Sequence, residues 1–242
     1  MVTPYYKDER VTIYHGDCRE ILPTLPDNSV DLVLTDPPYM NLKGGMKLGK
    51  SPTSVADVIR PIETMGNKWN ATLDWVPLSI KVCNLGIMAF CSFAWVGELQ
   101  LALPREGIKG LAVWYDRKAM PAIRNVPRYT TQFIWLWEKN TGLKWRQLGL
   151  LLDVCGLPAG CMATERILNR DGSTAHPTQK PIELIKRLLC VGGEIILDPF
   201  LGSGTTAFAA KQLNRHCIGI EIEEKYCEIA ANRCRQMVMD LI

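Results

Sequence analysis

The segment Thr35-Asp36-Pro37-Pro38-Tyr39-Met40 places a carboxylate, two prolines and a phenol directly after the apolar run VDLVL at 30–34. Prolines remove backbone donors and fix φ. Each also drives the residue before it towards extended geometry. The segment is therefore a stiff lip that offers carbonyl acceptors and almost no N–H groups, with an acid on one side and an aromatic face on the other. Two consecutive prolines also serve simply to end a strand. As chemistry, the lip suits a clamp for a flat group that carries two N–H bonds.

A second chemical stretch, EIILDPFLGSGTTAFAAKQL (194–213), reads as strand, glycine turn and helix. Gly202 and Gly204 permit a tight turn and close approach of backbone to a ligand. The helix opening near Thr205 points its unpaired N–H groups and positive dipole end at that turn. The next strand ends in Glu221, at the spacing where a carboxylate accepts hydrogen bonds from ribose hydroxyls. Taken alone, GSGTTA also satisfies a loose dinucleotide pattern, so an adenosine-type cofactor is implied and NAD stays open. A tight turn with no ligand has the same letters. The first apolar run ends HGDC (15–18), in a further acid. Ligands of open α/β sheets bind outside the carboxyl ends of the strands, so Asp17, Asp36, Asp198 and Glu221 are expected on one rim. Four acids there suit a cationic ligand such as a sulfonium better than a pyrophosphate.

These residues need a sheet to hold them. VTIYH (11–15), VDLVL (30–34), IMAFCSF (87–93), LAVWY (111–115), TQFIWLW (131–137), EIILD (194–198) and CIGIEI (217–222) read as strands. Helical spacing marks 182–190, 205–213 and 223–234. The alternation predicts an α/β sheet covered on both faces, doubly wound and mostly parallel. LAVWY and TQFIWLW, with no crossover helix between them, are expected to pair antiparallel. The 242 residues, 47% hydrophobic, suit a single domain spanning 1–242. Residues 40–60, rich in Gly, Lys and Ser, read as a mobile loop or a plain linker, and 139–175 as a small insertion. No apolar leader or membrane-length run is present. Nine scattered cysteines without a CxxC, and three histidines at no zinc spacing, point to reduced core thiols in a cytoplasmic protein and to no metal. Residues 105–147 hold nine basic and three acidic side chains, interleaved with Trp114, Tyr115, Tyr129, Trp135, Trp137 and Trp145. Basic side chains among aromatic faces suit nucleic acid, although a solvated loop with core tryptophans has the same composition.

DPPY, DPFLGSGT and HPTQKP (176–181), in this order, resemble the amino-group DNA methyltransferases that use S-adenosylmethionine, specifically their β class. The resemblance runs from HGDC to the C-terminal helix. It implies a seven-stranded methyltransferase (Rossmann-like) sheet in circularly permuted order. It makes Asp36, Pro37, Pro38 and Tyr39 the catalytic clamp. Asp198, Phe200, Gly202, Ser203, Gly204 and Thr205 would hold the methionine end and body of S-adenosyl-L-methionine, and Glu221 its ribose. Asp17 with the Cys18 backbone would meet the adenine ring, and Thr178, Gln179 and Lys180 would lie near the methionine carboxylate. Segment 139–175 becomes the target-recognition region. Lys43, Lys47, Lys50, Arg117, Lys118, Arg124, Arg128, Lys144 and Arg146 are the candidate DNA contacts.

The expected reaction is methyl transfer to the N6 amino group of an adenine flipped out of double-stranded DNA. N4-cytosine methylation is the nearest alternative, because a cytosine amino group presents the same chemistry; in the family that the chain resembles, an acid at position 36 leans towards adenine and a serine towards cytosine. A protein glutamine methyltransferase, a non-catalytic cofactor-binding subunit and an NAD dehydrogenase explain fewer of the motifs. The reading involves no membrane and leaves room for a homodimer.

Overall fold

A computed structural model describes residues 2–38, 72–115, 131–152 and 179–239. Eight strands form one sheet: β1 (Tyr6–Lys7), β2 (Val11–His15), β3 (Val30–Thr35), β4 (Cys83–Cys91), β5 (Ile108–Tyr115), β6 (Thr131–Glu138), β7 (Ile195–Asp198) and β8 (His216–Glu221). Their order across the sheet is β1-β2-β8-β7-β3-β4-β6-β5. Strands β2, β8, β7, β3 and β4 pair in parallel, whereas β6 runs antiparallel to both β4 and β5, as expected for a pair without a crossover helix.

Seven strands are those of the sequence reading. The eighth is the two-residue edge β1, antiparallel to β2. It exists because the Asp8 carboxylate accepts from the Arg10 and Val11 N–H groups at 2.8 and 2.7 Å and so closes the turn into β2. Strand β4 begins four residues before the expected run and stops at Cys91, where Phe93–Trp95 tightens into a 3₁₀ turn.

Both faces of the sheet are covered. On one lie α5 (Ile182–Leu189), α6 (Thr205–Gln212) and α7 (Glu224–Met239), whose buried side chains join those of Val11, Ile13, Leu32, Leu34, Met88 and Phe90. On the other lie α1 (Cys18–Ile21), α2 (Trp75–Val82) and α3 (Val96–Ala102), packed on Val33, Ile87, Ala89, Cys91 and Leu197. Parallel strands buried on both faces read as continuous apolar runs rather than alternations, as VDLVL and EIIL do. The sequence WVPLSIKV of α2 hides its helix in a nearly unbroken apolar run with Pro77 inside it. A proline is tolerated there because the first turn has no N–H partner to lose.

Helix α4 (Trp145–Leu152) follows β6, and Leu143 and Leu148 are buried in the first cluster. The opening part of the expected 139–175 insertion is thus part of the core; its remainder, and the 40–60 loop, lie outside the described residues. Trp114, Trp135 and Trp137 of the basic stretch are buried as well, and the last two donate to the backbone carbonyls of Val96 and Pro104. They are core residues and not stacking faces for nucleic acid. The seven cysteines among the described residues are free thiols, six of them buried. No helix among the described residues is long and apolar enough to cross a membrane.

Candidate active site

Adjacent parallel strands carry their ends to one rim. The order β2-β8-β7-β3 therefore brings Asp17, Glu221, Asp198 and Asp36 together in sequence across the carboxyl edge, as their positions after apolar runs predict.

The glycine turn between β7 and α6 is tied down through its own N–H groups. Phe200 N–H donates to Asp198 Oδ1 (3.1 Å), Leu201 N–H to Ile220 O (2.9 Å), Gly202 N–H to Glu221 Oε2 (2.7 Å) and Gly204 N–H to Leu201 O (3.0 Å). The turn thus spends four of its N–H groups on Asp198, on Leu201 and on the β8 residues Ile220 and Glu221. Gly202 and Gly204 have φ of +54° and +82°, in the left-handed region that favours glycine. A Cβ at Gly204 would stand 2.6 Å from Ala230 Cβ of α7, so helix packing by itself excludes a side chain there.

Two buried acids flank the turn. Asp198 is 4% exposed and also accepts from Thr35 Oγ1 at 2.8 Å. Burial pushes its carboxyl up to about 6; hydrogen bonds from Thr206, Thr35 and Phe200 hold it down, and the nearby charge of Asp36 adds to the rise. Glu221 accepts from the Gly202 and Glu223 N–H groups, and burial raises its carboxyl too. Carboxylates that burial pushes towards neutrality are ionised by a cation beside them. This pair of acceptors therefore fits a cationic cofactor such as S-adenosylmethionine. Phe200 stands edge-to-face on Trp75 at 5.7 Å, and the buried Trp75 indole N–H has no acceptor among the described residues.

Asp17 caps α1 through the Arg19 N–H (2.8 Å) and pairs with the Arg19 guanidinium (2.5 Å), whose hydrogen bonds hold its carboxyl below the usual range. Cys18 is buried, and burial lifts its thiol to about 12. Asp36 pairs with Lys180, and Gln179 lies half-buried beside that lysine. Tyr39, Thr178, Lys43, Lys47, Lys50, Arg117, Lys118, Arg124 and Arg128 lie outside the described residues. Lys144 and Arg146 are exposed but not on this rim. They follow the end of the antiparallel β6, and Lys144 N–H donates to Val191 O, just before β7 begins. The described basic side chains that follow β6 therefore lie at the opposite edge of the sheet.

Sequence reasoning missed Thr35 and Arg233. Thr35 ties the lip strand to Asp198 and adjoins the TDPPY motif, so its position was a signal. Arg233 on α7, 9% exposed, donates from Nη1 to Ser203 O (2.9 Å) and Thr205 Oγ1 (3.2 Å) and lies over the Phe208 ring. It fixes the glycine turn from thirty residues away, and nothing local in the sequence marks it.

Residues 107–232 match the family model described as DNA methylase, that of the N6/N4 enzymes. The chain is 30% identical to the type II methyltransferase M2.DpnII of Streptococcus pneumoniae, across 96% of this chain and 92% of that one. It is 29% identical to M.HinfI of Haemophilus influenzae, across 93% and 68%. The solved structure of M1.HpyAVI in complex with SAM superposes with a TM-score of 0.59 at 25% identity, covering 92% of this chain and 99% of that one. The cytosine-N4-specific PvuII methyltransferase shares the fold, with a TM-score of 0.63 at 15% identity over 95% and 88%. The strand-end acids, the glycine turn and these relatives agree: the chain belongs to the N6/N4 family of DNA methylases, amino-methyltransferases whose cofactor is S-adenosylmethionine.

Proposed function

We propose that this protein methylates the N6 amino group of an adenine flipped out of double-stranded DNA. The observation that carries the reading is the position of Asp36. It ends the strand next to Asp198 and the glycine turn, followed at once by the two prolines. A base amino nitrogen is a poor nucleophile because its lone pair is delocalised into the ring. Asp36 accepts one of its hydrogens and a carbonyl of the Pro37–Pro38 pair accepts the other. Holding both favours a pyramidal nitrogen with its lone pair exposed. Tyr39 stacks on the base; such contacts are worth about 1–3 kcal/mol and offset part of the cost of flipping.

Bound beside Asp198, Phe200, Gly202, Ser203, Gly204, Thr205 and Glu221, S-adenosylmethionine supplies the electrophilic methyl group that the amino nitrogen takes. Asp198 presents negative charge to the cationic end, and Glu221, already anchored on two N–H groups, keeps acceptor capacity for a diol. Positioning and electrostatics carry the rate; well-oriented partners gain roughly 7–11 kcal/mol in this way. The fold is common to adenine and cytosine enzymes, so the base rests on the acid at 36. The permuted order of motifs, with the lip strand β3 preceding the cofactor strand β7 in the chain, is part of the same proposal, as are DNA contacts from Lys43, Lys47, Lys50, Arg117, Lys118, Arg124 and Arg128.

The test is to incubate the protein with methyl-labelled cofactor and duplexes of mixed sequence, then digest to nucleosides. Label in N6-methyladenine is expected. Label in N4-methylcytosine would reassign the base, and no label in any nucleoside would remove DNA as the substrate.

A further inference from the structure

Lys180 departs most from the role that HPTQKP implies for it. Its ammonium contacts Asp36 Oδ2 and stands 5.0 Å from the centroid of the Phe90 ring. The residue is 7% exposed. An ammonium taken out of water is costly unless it is paired, and here a carboxylate and an aromatic face share that task. Three rigid elements fix the contact. Asp36 ends β3, Phe90 is buried in the neighbouring β4, and Lys180 precedes α5, which is anchored by buried Leu184, Ile185, Leu188 and Leu189.

We propose that Lys180 is a positioning residue for the transfer step: it holds the Asp36 carboxylate in the orientation that meets the target amino group, and it does not serve the cofactor's carboxylate. The inference rests on the reading of Asp36 as the acceptor of an amino hydrogen. A carboxylate has about four lone-pair sites. An ammonium on Oδ2 fixes the plane of the group and still leaves it acceptor capacity. The same cation offsets the repulsion between Asp36 and Asp198 on adjacent strands, which burial alone would worsen.

The test compares wild type, Lys180→Met, Lys180→Arg, Asp36→Asn and the double variant Asp36→Asn/Lys180→Met. Calorimetry gives S-adenosylmethionine affinity, and turnover is measured on a duplex that wild type methylates. Lys180→Met should lose about 100-fold in kcat, the order expected when a reacting group is misplaced by about 1 Å. Its cofactor Kd should stay within about threefold, because the lost interaction belongs to the transition state. Lys180→Arg should recover part of the rate. The double variant should be no slower than the slower single one, since both remove the same unit. A Kd raised tenfold or more with near-normal kcat at saturating cofactor would overturn the proposal, as would losses that add. If Lys180→Met does not fold, the kcat-against-Kd split of Lys180→Arg decides. Failure of wild type to methylate any duplex would sink the function itself, whereas a normal wild type with a normal Lys180→Met sinks only this role.

Discussion

The two halves of the rim are built on different principles. On the side of the glycine turn, Asp198 and Glu221 are buried and accept from the backbone N–H groups of Phe200, Gly202 and Glu223, and a guanidinium from α7 locks the turn. On the target side, Asp36 ends a strand and is held by the side chain of Lys180, 144 residues away, with Asp36 23% exposed at its side chain. The cofactor is the same molecule in every turnover, so its site can be preorganised and its polar groups satisfied in advance. In the proposed reaction the target is drawn from a duplex, so its acceptor has to stay accessible while a side chain from another element orients it. Substitutions on the first side should therefore change folding or affinity, and those on the second should change turnover.

The strongest way to break this contrast is at Gly204. Gly204→Ala combines a left-handed φ with a contact on Ala230, which together cost about 2–5 kcal/mol. Thermal unfolding should show the loss without any cofactor present. Ala230→Gly in the same chain should relieve the contact with its Cβ but not the one with its backbone Cα at 2.8 Å, and so recover only part of the loss. If Gly204→Ala melts like wild type and only binding suffers, the turn is shaped by its ligand and not by α7.

Glu221→Gln should come next. It removes the charge while keeping one acceptor for the Gly202 N–H, so the fold should hold. S-adenosylmethionine Kd should rise about 10–100-fold, the worth of a charge-assisted hydrogen bond or two, with kcat at saturation nearly unchanged. A fall in kcat at unchanged Kd would place Glu221 on the wrong side of the comparison.

Asp198 sharpens the comparison through pH. Its folded value of about 6 lies above the ordinary carboxylate value of 3.8. The free folded protein therefore binds a proton more tightly than the unfolded chain, and its stability rises as pH falls from above 6 towards 4. A cationic ligand wants the ionised form, so cofactor affinity should weaken below pH 6 and binding near that pH should release a proton. Asp198→Asn should raise the melting temperature at pH 8, flatten its dependence between pH 4 and 7, and weaken cofactor binding. An unchanged melting profile would contradict the picture of a strained, buried acid.

The smallest effect is expected far from the rim. Asp8 accepts from Tyr6 (2.7 Å) and Lys211 (2.5 Å), and these bonds outweigh burial and bring its carboxyl down to about 2. Its contribution is present above the ordinary value of 3.8 and is lost as pH falls through 2. Lys211→Met should lower stability by about 1–3 kcal/mol, as for a hydrogen bond to a charged group. Methylation kinetics at 25 °C should not change.

The sheet and the cofactor rim were legible in the sequence because their signals are local. Apolar runs such as VDLVL end in acids, and GSGT opens a helix. Helix α2 was not legible, because WVPLSIKV is short, carries a proline and has a single charge, Lys81, to mark its outer face. Arg233 was not legible either, because its work is done on a turn thirty residues away. Part of the basic stretch misled by composition: Trp114, Trp135 and Trp137 are core, and Lys144 and Arg146 follow β6 to the edge opposite the acids, whereas Arg117, Lys118, Arg124 and Arg128 lie outside the described residues. Charge counted along a chain does not know that an antiparallel strand carries it to the other end of the sheet. The lip was legible as an acid that follows a strand next to Asp198, and Tyr39 falls outside the described residues.

The most direct test of the account is Asp36→Ala, measured for cofactor affinity by calorimetry and for turnover on a duplex substrate. The account predicts that S-adenosylmethionine Kd stays within about threefold while methyl transfer to adenine falls by orders of magnitude, because the acceptor acts on the amino group in the transition state. Near-normal turnover in Asp36→Ala would contradict it, and would leave the acid before the two prolines with nothing to do but end a strand.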